Sequence, residues 1–96
     1  MYDAFDLEIV VEYTGTDDSI VMPFFGTVEE VRQHIEETEG AMGWFYTIYG
    51  VRNDSSVDAL IDVSNDKADY AYELLHWLEK LLEDSEKLKK VLAIVK

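Results

Sequence analysis

The stretch that most limits what this chain can fold into is its C-terminal third, residues 66–96. Leu74, Leu78, Leu81, Ser85, Leu88, Leu92 and Val95 recur there at alternating spacings of four and three, and Ala71, Leu75, Leu82 and Val91 widen the stripe. That is the period of a helix with one core-facing side, so the rest of the chain must supply a surface to cover it. An unbroken helix over these residues would be about 45 Å long at 1.5 Å per residue, whereas a compact domain of this size is roughly 33 Å across. The helix must either break, with Asp84 or Ser85 capping a second segment, or project and meet another chain. The break is preferred, because adjacent Asp and Ser serve better as caps than inside a helix.

Upstream, Phe5, Leu7, Ile9, Val11 and Tyr13 alternate with Asp6, Glu8, Val10 and Glu12, the period-two pattern of a strand with one buried face and one wet, anionic face. Thr14-Gly-Thr-Asp-Asp18 supplies a turn, and residues 19–25 form a second strand with Pro23 near its end or on an edge. Thr27-Val-Glu-Glu30 has the capping-box pattern. It opens a helix over 28 to about 38 that buries Val28, Val31 and Ile35 and stops at Glu39-Gly40. The aromatic and β-branched run Gly43-Trp-Phe-Tyr-Thr-Ile-Tyr-Gly-Val51 suits the middle of a sheet. After the turn residues Arg52-Asn-Asp-Ser-Ser56, residues 57–63 place Val57, Ala59, Ile61 and Val63 on one alternation and Asp58, Leu60 and Asp62 on the other. Ser64, Asn65 and Asp66 are all competent to cap the final helix. The expected fold is a single α+β domain over residues 1–96: a small four-stranded, mainly antiparallel sheet in ββαββα order, with the C-terminal helix split near Asp84-Ser85.

Charge narrows the function classes. The chain of 96 residues carries a formal net charge of −13, and five of its eight Lys and Arg (Lys80, Lys87, Lys89, Lys90 and Lys96) fall in the last seventeen positions. Three cations then face eighteen carboxylates in the first 79 residues, a formal −15. Such a body repels nucleic acid and anionic membrane, so neither is an expected direct ligand, and the expected partner is basic. A hydrophobic content of 48% argues for a packed globule rather than an acidic tail. With no cysteine there is neither a disulfide framework nor a thiolate metal site. The first residues have no basic and no apolar leader region, and the chain reads as cytoplasmic.

Catalytic signals are sparse. There are two histidines, His34 at the border of an apolar stripe and His76 on a solvated helix face, with no Gly-rich phosphate loop and no nucleophile elbow. Asp62, Ser64, Asp66 and Glu73 fit positions 1, 3, 5 and 12 of a calcium loop, but Lys67 stands where the sharp turn needs glycine and no helix precedes Asp62. A strand end followed by helix caps explains them better, so neither metal nor cofactor is expected.

The acidic residues themselves are the informative pattern. Asp54, Asp58, Asp62 and Asp66 recur every four residues and continue into Asp69 and Glu73, while Asp6, Glu8 and Glu12 line the wet face of the first strand. A spacing of four puts side chains on one side of a strand and, approximately, of a helix. Carboxylates so arranged can stand in for nucleic-acid phosphates in a basic cleft. Tyr70 and Trp77, seven apart on the final helix, flank its apolar stripe as candidate anchors. Trp44, Phe45, Tyr46, Ile48 and Tyr49 read as sheet core.

In size and charge the chain resembles the small acidic inhibitors that phages and mobile elements encode against host nucleases, the anti-CRISPR and anti-restriction proteins, and the acidic immunity proteins that neutralise nuclease toxins. The likeness is one of composition and covers no motif. It implies a non-enzymatic inhibitor that binds a basic nucleic-acid-binding protein, a nuclease or CRISPR effector, by nucleic-acid mimicry. The alternative is an acidic interaction module or homodimer that uses the C-terminal helix without mimicry; an enzyme comes third.

Overall fold

The computed structural model describes residues 2–15 and 19–95. Its elements run β1 (Ala4–Thr14), β2 (Ser19–Phe24), α1 (Val28–Glu37), β3 (Ala41–Val51), β4 (Val57–Ser64), α2 (Ala68–Leu81) and α3 (Ser85–Val95). The strands form one antiparallel sheet in the order β2-β1-β3-β4. This is the expected α+β class, with ββαββαα order because the final helix is two. Pairing of Thr14 with Ser19 closes the first hairpin; Thr16, Asp17 and Asp18 of its expected turn lie outside the described residues, as do Lys96 and the side chain of Val95.

Register assigns the two faces. Across β1 and β3, Phe5 opposes Gly50, Leu7 opposes Ile48, Ile9 opposes Tyr46 and Val11 opposes Trp44. This apolar row meets the helices. Leu78, Leu88 and Leu92 pack with Tyr2, Phe5 and Ile48, and Ala71 packs with Tyr46 and Val63. α1 joins the same layer through His34, whose ring contacts Tyr13 and Phe24 and shares a 2.7 Å hydrogen bond with the Tyr13 hydroxyl. All three helices therefore cover one side of the sheet and leave the other open.

Local chemistry sets the helix ends. The Thr27 side chain accepts from the Glu30 amide and Glu30 accepts from the Thr27 amide, so the capping box forms as the pattern predicts. Of the apolar residues expected inside α1, Val31 is fully buried while Val28 and Ile35 are half-buried. Gly40 follows with φ +88°, a left-handed conformation that a side chain disfavours. At the other end of the chain Asp84 caps α3, its Oδ1 accepting from the Lys87 amide at 3.2 Å. The break lets α3 fold back onto the core instead of projecting. Replacing Asp84 with Ala is expected to cost about 1 kcal/mol, read from the denaturant midpoint.

The start of α2 differs from the expectation. Its first residue is Ala68, and Lys67 at the cap makes no side-chain bond. The competent caps are engaged elsewhere: the Asn65 amide donates to the Trp44 carbonyl at 2.8 Å, and the Ser64 hydroxyl donates to Asp66 at 2.6 Å. Ser64 itself ends β4.

Glycine matters most at Gly50. A Cβ there would lie 2.6 Å from the Tyr2 ring, which packs flat over the strand. Gly50→Ala is expected to destabilise by about 1–3 kcal/mol in chemical denaturation, because both the ring and the strand are fixed by the core.

Candidate functional site: the open acidic face

The face without helices is built by the alternate positions of the same strands. Asp6 opposes Tyr49, Glu8 opposes Thr47, Val10 opposes Phe45 and Glu12 opposes Gly43. On β4 the row continues with Asp62 beside Thr47 and Ala59 beside Tyr49. Its floor is packed: Val10 and Thr47 are each 2% exposed, and the Thr47 hydroxyl donates to Asp62 at 2.8 Å. Phe45 and Tyr49 are half-buried, whereas Asp6 and Asp62 are exposed. An apolar floor with a charged rim is the composition of a protein interface.

This face is electrostatically one-sided. The four strands contain five carboxylates, Asp6, Glu8, Glu12, Asp58 and Asp62, and not one Lys or Arg. Burial pushes the Glu8 carboxyl above its ordinary value, helped by a hydrogen bond to Asp6 and by the Asp6 charge. The Tyr49 hydroxyl is pushed up by burial and then by the charges of Asp62 and Glu8. Neighbouring strands thus hold like charges together without a cation among them.

Stability should respond with a definite sign. Glu8 holds its proton more tightly in the native state than in the unfolded chain, so its stabilising contribution is complete below pH 4.5 and is lost as pH rises through the raised native value. Glu8→Gln is therefore expected to raise the thermal midpoint at neutral pH, with the gain vanishing below that limit. Asp54 and Asp66 act in the opposite sense. Bonds from Ser56 and Ser64, respectively, lower their carboxyls beneath the ordinary 3.8, so their stabilisation is lost as pH falls below that value. Thermal melts across the acid range should show stability rising as Glu8 protonates and falling again below 3.8.

The four-residue ladder does not survive folding. The β3–β4 register shifts between Ile48 and Tyr49, where Ile48 pairs with Ile61 but Tyr49 pairs with Ala59. Leu60 is the extra residue, and the bulge reverses the alternation on either side of it. Asp62 therefore faces the open side, while Asp58 stands beside Gly50 on the helix side. There Asp58 accepts from the Tyr2 hydroxyl at 2.7 Å and from Arg52, whose guanidinium lies 5.2 Å from the Tyr2 ring centre. The same bulge corrects the expected grouping of Val57 and Ala59 with Ile61 and Val63. Asp54 holds the β3–β4 turn through the Ser56 amide and hydroxyl, and Asp66 lies at the other end of β4.

Asp69, Tyr70, Glu73 and Trp77 share the solvent side of α2, with Tyr70 and Trp77 about half exposed. That surface lies in the helix layer, across the molecule from Asp6, Glu8, Glu12 and Asp62. The expected continuous acidic face is thus two separate surfaces. Sequence reasoning missed Thr47, Tyr49 and Phe45 as floor of the open face, and Pro23, Phe25 and Val57 around it. Every position of β3 is apolar, aromatic, Thr or Gly, so no alternation marked its outer side.

A cleft of about 400 Å³ lies on the helix side between α1 and α2, lined by Glu8, Phe25, Thr27, Tyr46 and Tyr72 among others. The Thr27 oxygen on its wall accepts from the Glu30 amide as the helix cap. Among the described residues no group of three or more His, Asp and Glu gathers as metal ligands, and no helix is long and apolar enough to cross a membrane. No family model, curated protein or solved structure matches the chain.

Proposed function

We propose that the protein is a non-enzymatic acidic inhibitor whose open sheet face docks in the nucleic-acid channel of a basic protein, of the nuclease or CRISPR-effector kind. The observation that carries this reading is the set of four strands with five carboxylates and no cation, four of those carboxylates on a face no helix covers. A magnitude of about 2–8 is enough to keep a small domain soluble, and −13 exceeds it. On β1, Asp6 and Glu8 stand one two-residue step apart, roughly 6.7 Å, and Glu12 lies two steps beyond Glu8 across the buried Val10. Such a surface steers a cationic partner at long range and competes with the phosphates that the partner normally binds.

The alternative, a homodimer through the C-terminal helix, draws less support. Leu88 and Leu92 of α3 are buried in the chain's own core, leaving Ile94 exposed. Affinity capture from host lysate at low and high salt tests the proposal. Retention of a nucleic-acid-binding protein at low salt, released by added DNA or RNA, supports it; a self-complex indifferent to salt would replace it with the dimer reading.

A further inference from the structure

We propose that the small cleft on the open face, where β2 leaves the sheet, receives an arginine side chain of the basic partner. The assignment rests on the docking reading above and specifies its anchor. The cleft has a structural origin. Pairing of β1 with β2 stops at Ile9 and Phe24, but pairing of β1 with β3 continues to Ala4 and Val51. Beyond Ile9 the β1 strand has a neighbour on one side only, and the sheet steps down. The resulting cavity of about 130 Å³ is lined by Asp6, Glu8, Pro23, Phe25, Tyr49 and Val57.

Size and lining agree on one kind of occupant. Small-molecule sites run from about 300 to 1,000 Å³, so this cavity is scaled to a single side chain. Asp6 and Glu8 are two residues apart on the same side of β1 and supply acceptors; Tyr49 and Phe25 supply aromatic surface. A guanidinium is planar, donates along its edges to carboxylates and lies with its face on aromatic rings. Pro23 and Val57 offer apolar walls to the methylene stem. Lysine would meet the charge but not the flat surfaces, since its ammonium is compact and strongly hydrated. Phe25 is 85% exposed, a large apolar ring held beside two carboxylates. Burial chiefly raises the Glu8 carboxyl, with the Asp6 hydrogen bond and charge adding to it, and an incoming cation would offset the repulsion from Asp6.

The probe is N-acetyl-arginine methylamide, titrated into the ¹⁵N-labelled full chain at low salt and followed by amide shifts, with the lysine and norleucine analogues and calcium chloride as comparators. The expected result is a set of shifts confined to Asp6, Glu8, Phe25, Tyr49 and Val57. Affinity should be about fivefold tighter for arginine than for lysine, with no localised response to norleucine. Glu8 should titrate closer to its ordinary value with the probe bound. Asp6→Asn with Glu8→Gln should abolish the shifts. Phe25→Ala, at an exposed position, should weaken arginine toward the lysine value while the rest of the spectrum is kept. Equal responses to arginine and lysine spread over all the acidic residues would overturn the pocket, as would localised calcium binding that displaces the probe. Because the probe needs no macromolecule, the two proposals fail separately. Localised shifts without a captured partner leave the pocket standing and sink the docking reading; a nucleic-acid-competed partner without localised shifts does the reverse.

Discussion

Reversing two charges on the open face, Asp6→Lys with Glu12→Lys, is expected to slow association with the captured partner by about tenfold or more relative to Asp69→Lys with Glu73→Lys. Both double variants change the net charge by the same amount, so general attraction between an acidic and a basic protein falls equally in each. What differs is where the charge sits: the first pair lies on the uncovered sheet face, the second on the solvent side of α2. Steering by a charged surface accelerates encounter by about 10- to 1,000-fold and weakens with salt. The difference between the variants should therefore be large at low ionic strength and shrink as salt is added. Stopped-flow or surface-based association rates give the measurement. Equal rates for the two variants would show that only total charge matters, and the open face would lose its role.

Leu88→Ala is expected to cost about 2–5 kcal/mol, the range for removing a fully buried leucine. Leu88 is 1% exposed and packs with Tyr2, Phe5, Ile48, Leu78 and Leu92. Against a typical total of about 5–15 kcal/mol, that loss lowers the midpoint by roughly 8–40 °C at 4–8 °C per kcal/mol for a domain this small. The variant also separates two roles for the last helix. If α3 belongs to the monomer core, the wild-type midpoint is independent of protein concentration and the variant stays monomeric while losing stability. If α3 were the arm of a dimer, the wild-type midpoint would rise with concentration, and sedimentation would show the variant dissociating.

The elements were legible where one local rule acted alone. The Thr27 to Glu30 capping box and the alternation of β1 each depend on neighbours within a few residues, and each stands as expected, whereas α1 leaves the helix at an extended Thr38, two residues before Gly40. The break at Asp84 was legible from two rules together: a helix longer than the domain must break or project, and adjacent Asp and Ser serve better as caps than inside a helix. The start of α2 was misjudged because three competent caps stood in a row, and only the fold shows that Asn65 binds the Trp44 carbonyl while Asp66 binds Ser64.

The candidate site was half legible. Asp6, Glu8 and Glu12 were found together because polar residues alternate with apolar ones on β1. The ladder of Asp54, Asp58, Asp62 and Asp66 was misread because a spacing of four implies one face only in an unbroken strand, and a single extra residue at Leu60 reverses it. Nothing in residues 57–64 distinguishes a bulged strand from a regular one; the shift is set by the pairing of β4 with β3. Tyr49 was hidden differently, since a strand that is aromatic on both sides carries no sign of which side is covered.

By itself, then, the sequence determined the element order, the acidic wet side of β1, the absence of Lys and Arg from all four strands, and the need for the last helix either to break or to project. Periodicity, capping and charge count are properties of neighbouring residues and act before any tertiary contact exists. Tertiary structure decided which carboxylates share a surface. It sent Asp58 inward to Tyr2 and Arg52, set Asp62 beside Thr47 on the open face, and stranded Asp69 and Glu73 on the far layer. It also made the cleft at Phe25, which exists because β2 ends at Phe24 while β1 runs on beside β3. These outcomes depend on strand register and layer order, which arise from contacts between residues far apart in the chain.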